Sequence, residues 1–186
     1  MKTYRSTFEE NYKAVQEPCN NRKGFKMRYV YIGRWYVWNI PPGQLQTAKR
    51  LFGTACVFSV LLFLLGGLVD SPLNYDRYVE LPGLLSIAAL LFEVIGVVQF
   101  CTAKERLTCI DFQDIRTKLH AAPFLHGVLL FCTAMAAMFR MAGCALADAV
   151  VPLCYFLSGL LSVTILLYFR SLPYRVDINT ENNLVP

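Results

Sequence analysis

The chain has 186 residues, of which 55% are hydrophobic and 17% are charged, and 18 Lys and Arg stand against 13 Asp and Glu. Soluble domains carry about 25% charged residues, so this composition is typical of a membrane protein. It argues against a disordered tail, a collagen-like fibre and a disulfide-stapled secreted module, since the seven cysteines lie mostly inside apolar runs. The length favours a single domain.

The first 44 residues change character near residue 25. Residues 1–24 are polar and lack helix or strand periodicity, which predicts a flexible or loosely docked segment. Residues 25–44 are dense in aromatic, β-branched and basic residues, with Gly33 placed for a turn and Pro41-Pro42-Gly43 near the end. This pattern predicts an aromatic and basic β-hairpin beside the membrane, followed by a helix from about Leu45.

The aromatic residues of this hairpin admit two interpretations. They are Tyr29, Tyr31, Trp35, Tyr36 and Trp38. Amphipathic rings beside basic residues commonly form an interfacial belt at the depth of the lipid headgroups. Trp and Tyr are also frequent anchors for a docked partner or nucleotide. Anionic lipid headgroups account for the neighbouring basic residues, so no nucleic-acid partner is predicted.

Four apolar segments of 19, 18, 19 and 21 residues follow. They cover residues 51–69, 84–101, 121–139 and 149–169, and Glu93 is the one formal charge within them. About 20 residues, each rising about 1.5 Å, are needed for a helix to cross ~30 Å of hydrocarbon. Soluble helices show a polar stripe that these segments lack. We therefore predict a four-helix transmembrane domain over residues 45–169.

The distribution of Lys and Arg predicts the topology. Sixteen lie in the first 50 residues, the second connection and the tail, and only Arg77 and Arg140 lie on the opposite side. This bias places both termini in the cytoplasm. The first 50 residues have no apolar core of a cleavable signal peptide. Short connections then predict an all-α, antiparallel four-helix transmembrane bundle.

The remaining cytoplasmic segments could enlarge the hairpin into a small sheet. Residues 106–112 in the second connection alternate in polarity, and so do residues 173–178 in the tail. The tail itself covers residues 170–186. Both stretches are therefore candidate strands.

Glu93 is the most informative residue inside the predicted membrane. A carboxyl group near mid-span is costly, so it should face other helices, find a partner or stay protonated. Ser86, Ala89, Glu93 and Gly96 follow spacings of three, four and three residues, which defines a seam of small and polar side chains. We predict that this seam contacts the neighbouring helices.

Three polar residues on the other spans lie at depths similar to that of Glu93. They are Ser59, His126 and Ser162, and with Glu93 they could form a polar layer. A carboxyl group beside an imidazole can act as a proton or cation site. In the structural alternative, a protonated Glu93 only hydrogen-bonds a neighbouring helix. The sequence leaves both interpretations open.

Signatures of catalysis are missing from the sequence. It has no Walker loop, His-Glu-x-x-His, Gly-x-Ser-x-Gly or zinc-type Cys/His spacing, so no catalytic residue, metal or cofactor is predicted. A membrane thiol oxidoreductase would need paired outward-facing cysteines. Cys144 and Cys154 are the only pair near the predicted outer surface, and no Cys-x-x-Cys occurs. A packing role for the cysteines is the favoured interpretation.

These observations lead to one expectation of function and one alternative. The expectation is a small multi-pass protein of a bacterial cell membrane, acting as a non-catalytic subunit or accessory component. Its partners would be anionic lipids on the cytoplasmic side and further copies of itself or another membrane protein. The alternative is a proton- or cation-coupled small-molecule transporter or channel that acts as an oligomer, with Glu93 as the titrating group.

Overall fold

A computed structural model of the protein describes residues 4–19, 24–142 and 145–177. The described chain is mostly helical and contains two small antiparallel sheets. It divides into two compact units. The sheet unit comprises the described parts of Met1–Ile40, Lys104–Asp114 and Pro173–Pro186, and the helical unit comprises Pro41–Ala103 and Ile115–Leu172.

The sheet unit contains one short helix and five strands. These are α1 (Tyr4–Asn11), β1 (Tyr12–Pro18), β2 (Phe25–Tyr31), β3 (Trp35–Trp38), β4 (Arg106–Leu107) and β5 (Tyr174–Asp177). Residues 4–18, for which the sequence showed no periodicity, thus form a helix and a strand. The strand β1 pairs with the next strand along the chain, β2, although its own sequence lacks the alternation typical of a strand.

The predicted hairpin between residues 25–31 and 35–38 is wrong, although both segments are strands. β2 pairs with β1 in an antiparallel register that runs from Tyr12 opposite Tyr31 to Pro18 opposite Phe25. β3 instead lies between β4 and β5 and is antiparallel to both. β1 offers β2 a seven-residue partner, whereas β3 has only four residues. The longer pairing satisfies more backbone groups.

The two candidate strands contribute to this second sheet. In residues 106–112 only Arg106–Leu107 is a strand, because a helix already begins at Cys109. In residues 173–178 the strand is Tyr174–Asp177, and Ile178 lies outside the described residues. The prediction of strands is therefore confirmed in part.

Aromatic side chains form the core of the sheet unit. Trp38 is 6% exposed and Phe112 is 3% exposed. The ring of Phe112 stacks on that of Tyr36 at a centroid distance of 4.4 Å and contacts the ring of Tyr174 at 4.7 Å. Phe112 therefore joins the start of the helix at Cys109 to both β3 and β5.

The helical unit is built from four long helices. They are α2 (Pro42–Leu68), α3 (Arg77–Thr102), α4 (Cys109–Arg140) and α5 (Val150–Ser171), with short 3-10 turns at Pro72–Tyr75 and Leu146–Ala149. Residues Cys109–Asp114 of α4 belong to the sheet unit. By length and composition, four helices are able to cross a membrane, and the last includes the turn from Leu146.

The helices extend beyond the predicted apolar spans. α4 begins twelve residues before residue 121, so Pro123 lies well inside the helix. Pro82 likewise lies within α3, six positions into the helix whose first residue is Arg77. Apolar length marks only the part of a helix that fits in hydrocarbon, and prolines are tolerated where neighbouring groups satisfy the freed carbonyls.

The ends of α3 and α4 are joined by polar contacts. Asp76 caps α3 through Oδ1, which accepts a hydrogen bond from the Tyr78 backbone N–H at 2.9 Å. Its Oδ2 lies 3.2 Å from Arg140 Nε, and the Arg140 guanidinium lies over the Tyr78 ring. Arg140 is thus paired with Asp76 at the end of its helix.

Large apolar side chains cover the outside of the helical unit. Leu68 is 80% exposed, Phe139 is 78% exposed and Leu146 is 89% exposed. Large apolar side chains exposed along all four long helices are unusual on a soluble monomer. It is the surface expected of helices that contact lipid.

Candidate functional site

The inner face of α3 carries the seam that the sequence predicts. Ser86, Ala89, Glu93 and Gly96 are all buried. Small side chains let the neighbouring helices approach: a Cβ placed on Gly96 would lie 3.1 Å from Lys118 Cβ and 3.2 Å from a Leu119 methyl carbon. The seam therefore faces α4, and it brings Glu93 into the interior.

Glu93 contacts His126 on α4 directly. Glu93 Oε2 lies 2.9 Å from His126 Nδ1, and both side chains are completely buried. His126 Nδ1 also lies 2.8 Å from Ser162 Oγ on α5. Three helices therefore meet at one imidazole nitrogen.

Serine hydroxyl groups extend this cluster to α2. Ser59 Oγ lies 3.3 Å from Ser162 Oγ and 3.0 Å from Ser158 Oγ. Ser158 Oγ in turn donates a hydrogen bond to the Ser59 carbonyl at 2.9 Å. The four residues of the predicted layer thus lie together. We call Ser59, Glu93, His126, Ser158 and Ser162 the polar centre.

Ser158 was missed by the sequence reasoning, which matched residues by depth alone. It lies one helical turn before Ser162 and beside Gly159. Small residues four positions apart are typical of helix contacts in membranes. That spacing would have placed Ser158 on the same face as Ser162.

A close approach between α4 and α5 makes these contacts possible. A Cβ on Gly127 would lie 2.8 Å from Val163 Cγ2 and 3.3 Å from the Gly159 carbonyl oxygen. A Cβ on Gly159 would lie 3.3 Å from the Gly127 carbonyl oxygen. The two glycines therefore face each other across the crossing, next in sequence to His126 and Ser158.

The polar centre leaves two buried atoms without a hydrogen-bond partner among the described residues, Glu93 Oε1 and His126 Nε2. His126 Nδ1 can donate a hydrogen bond to Glu93 Oε2, or accept one from it when the carboxyl group carries the proton, so the contact is a hydrogen bond in both arrangements.

The polar centre offers few side chains that could bind a metal ion. Within the described ranges, no group of three or more His, Cys, Asp or Glu side chains could hold a metal ion. Glu93 and His126 supply two donors, and the Phe63 ring lies edge-on to the imidazole at a centroid distance of 6.2 Å. The arrangement is suited to hydrogen bonding between helices.

The five aromatic residues singled out in the sequence have different environments. Tyr29 is 60% exposed and Trp38 is buried, while Tyr31, Trp35 and Tyr36 are half-buried. Tyr31 donates a hydrogen bond to the Arg34 carbonyl at 2.6 Å and accepts one from the Cys109 backbone N–H at 2.9 Å. Burial raises the pKa of Tyr31 and of Tyr36.

The candidate cysteine pair is only half described. Cys154 is buried and has a free thiol, and Cys144 lies outside the described residues. Among the described residues six cysteines are free.

Comparison with known proteins gives no assignment. Protein-family models, curated proteins and solved structures yield no match to this chain. The geometry of the polar centre and of the helix surfaces therefore carries the functional argument.

Proposed function

We propose that the chain is a multi-pass protein of a cell membrane, with α2 to α5 forming an antiparallel four-helix bundle and both termini on the cytoplasmic side. Four helices of sufficient length and apolar composition support this proposal. The exposed apolar surface of the helices supports it as well. The excess of Lys and Arg in the first 50 residues and the second connection supports the orientation.

Single cysteines placed in a variant without native cysteines should report this topology. Tyr75 and Leu146 are 75% and 89% exposed, so Tyr75→Cys and Leu146→Cys should react with an impermeant maleimide added to intact cells. Glu105→Cys and Gln113→Cys should react only after the membrane is permeabilised. Asn74 is a poor position for a probe, because its amide donates to the carbonyls of Gly66 and Val69. The reverse labelling pattern would contradict the proposed orientation.

Within the membrane, we propose that the protein is a non-catalytic subunit or accessory component of a membrane complex. The observation that carries this proposal is the polar centre, whose side chains bond chiefly to one another and connect α2, α3, α4 and α5. Such contacts fix the arrangement of helices. The exposed apolar side chains on the outside of the helices can contact a partner protein.

Native mass spectrometry tests the accessory function. The chain has a mass of 21.1 kDa, and after purification from its own membranes in mild detergent we expect it in a complex with a second protein at a fixed stoichiometry. The same complex should survive purification through an affinity tag on that second protein. A chain found only as a monomer or as copies of itself would contradict the proposal.

A proton- or cation-coupled transporter acting as an oligomer is the second candidate. It is favoured by the unpartnered Glu93 Oε1 and His126 Nε2 in the polar centre. A carboxyl group and an imidazole in the interior of a membrane protein are frequent elements of proton relays. The candidate requires Glu93 to titrate during transport, so a chain with Gln at this position should fold and yet lose pH-dependent flux.

A further inference from the structure

An apolar groove runs along the surface between α2 and α3. It has a volume of about 470 Å³, which falls in the range of about 300–1,000 Å³ typical of ligand sites. Its lining includes Gly53, Cys56, Val57, Val60 and Leu61 from α2. Val94, Val97, Val98, Cys101 and Thr102 line it from α3.

The groove has a buried floor and exposed walls. Cys56 and Val97 are 6% and 3% exposed, whereas Val57 and Val98 are 58% and 53% exposed. Glycine at position 53 opens the groove, since a Cβ there would meet only Cys101 Sγ, at 4.0 Å. From Gly53 to Leu61 the groove extends roughly 12 Å along the helix axis. The groove is therefore narrow, elongated and apolar, and it is open on one side.

Basic side chains lie at the end of the groove marked by Gly53 and Thr102. Lys49 and Arg50 precede Gly53 by about one helical turn. Lys49 Nζ donates a hydrogen bond to the Ala103 carbonyl, and an ammonium group has two further donors. Arg50 is exposed. An apolar groove that ends at two basic side chains complements a molecule with a long hydrocarbon chain and an anionic headgroup.

We propose that the groove binds one acyl chain of an anionic phospholipid, with the phosphate beside Lys49 and Arg50. The inference rests on the proposed membrane crossing, which places the start of α2 at the cytoplasmic surface. The two basic side chains at its end favour a phospholipid over an apolar partner helix, which would bring no anionic group to them.

Filling the groove tests the acyl-chain contact. Gly53→Leu places a side chain in the groove. Gly67→Leu is the control on the same helix, because a Cβ at Gly67 contacts only Tyr155 Oη, at 3.6 Å. The probe is dioleoyl phosphatidylglycerol added to the delipidated protein in detergent, with native mass spectrometry as the readout. We expect Gly53→Leu to lose most of the lipid-bound fraction and Gly67→Leu to retain it.

Changing the cation tests the headgroup contact. Arg50→Gln should lower the affinity for phosphatidylglycerol about fivefold, the effect of about one basic residue at a membrane surface. Arg170→Gln is the matched control, since Arg170 is exposed in the last turn of α5. Phosphatidylcholine should bind the wild type more weakly and should not respond to Arg50→Gln. Melting temperatures of all four variants, measured without lipid, identify any loss of folding.

Three results would overturn the proposal. They are equal binding of both lipids by the wild type, retention of lipid by a folded Gly53→Leu variant, and dissociation of a protein complex by Gly53→Leu without any change in bound lipid. The last would assign the groove to a partner helix. Extraction of the wild type from membranes by alkaline carbonate would instead contradict the membrane crossing itself, so the two failures are distinguishable.

Discussion

Replacing Gly159 with Leu is expected to lower the free energy of unfolding by about 3 kcal/mol or more. The Cβ alone would lie 3.3 Å from the Gly127 carbonyl oxygen, 3.3 Å from Leu130 Cβ and 3.4 Å from the Phe131 ring. The larger side chain has no space at this crossing, so α4 and α5 must separate. Their separation also breaks the contact between His126 and Ser162, which spans the same crossing. Unfolding by SDS in mixed micelles measures the effect.

A milder substitution at the same position keeps the prediction testable if Gly159→Leu is not expressed. Gly159→Ala adds only the Cβ, and we expect a loss of about 1 kcal/mol from the contacts that must shift. Gly67→Leu is the control, because a Cβ at that position makes only an ordinary van der Waals contact, with Tyr155 Oη at 3.6 Å. Wild-type stability for Gly159→Leu would show that the two helices do not cross at these glycines.

Glu93→Leu is expected to cost about 2 kcal/mol, whereas Glu93→Gln is expected to cost less than about 1 kcal/mol. Leucine removes the partner 2.9 Å from His126 Nδ1 and leaves Ser162 as the remaining contact of that nitrogen. Glutamine keeps the size and a hydrogen bond but removes the titratable proton. The measurement is again the free energy of unfolding in mixed micelles.

The same two variants separate a structural from a proton-coupled centre. A transporter that couples flux to Glu93 should lose its pH-dependent flux in Glu93→Gln, whereas a structural centre should show only the small loss of stability given above. Glu93→Asp is a useful control, because it keeps the proton but shortens the reach to His126. If neither Glu93→Leu nor Glu93→Gln changed the free energy of unfolding, Glu93 would not lie in the interior. That result would exclude both the structural and the proton-coupled role.

The depth of a residue along its helix could be predicted from the sequence, but its contacts in the polar centre could not. Ser59, Glu93, His126 and Ser162 stand at similar depths because a helix rises by a constant amount per residue. Their rotation about each helix axis depends on packing. The Gly127 and Gly159 crossing fixes that rotation for α4 and α5, and it also brings in Ser158.

The N-terminal strands illustrate the opposite case. Residues 25–31 and 35–38 have strand composition, and both are strands, but β2 pairs with the strand that precedes it and only β3 has partners distant in sequence. The sequence favoured pairing between these two segments, because residues 12–18 showed no strand pattern. The observed partner of β2 comes from residues 12–18, and β3 is flanked by residues 106–107 and 174–177. Pairing free energy depends on register and length across the sheet.

The sequence by itself determined the number and approximate position of the four long apolar helices, the seam on α3 and the small size of the sheets. These features follow from local composition and from the fixed rise and periodicity of a helix. Only the tertiary structure decided which strands pair, where Trp38 is buried, and that Glu93, His126 and three serines meet. Those outcomes depend on side-chain volumes at helix crossings and on long-range backbone hydrogen bonds, and neither is encoded within a short window of residues.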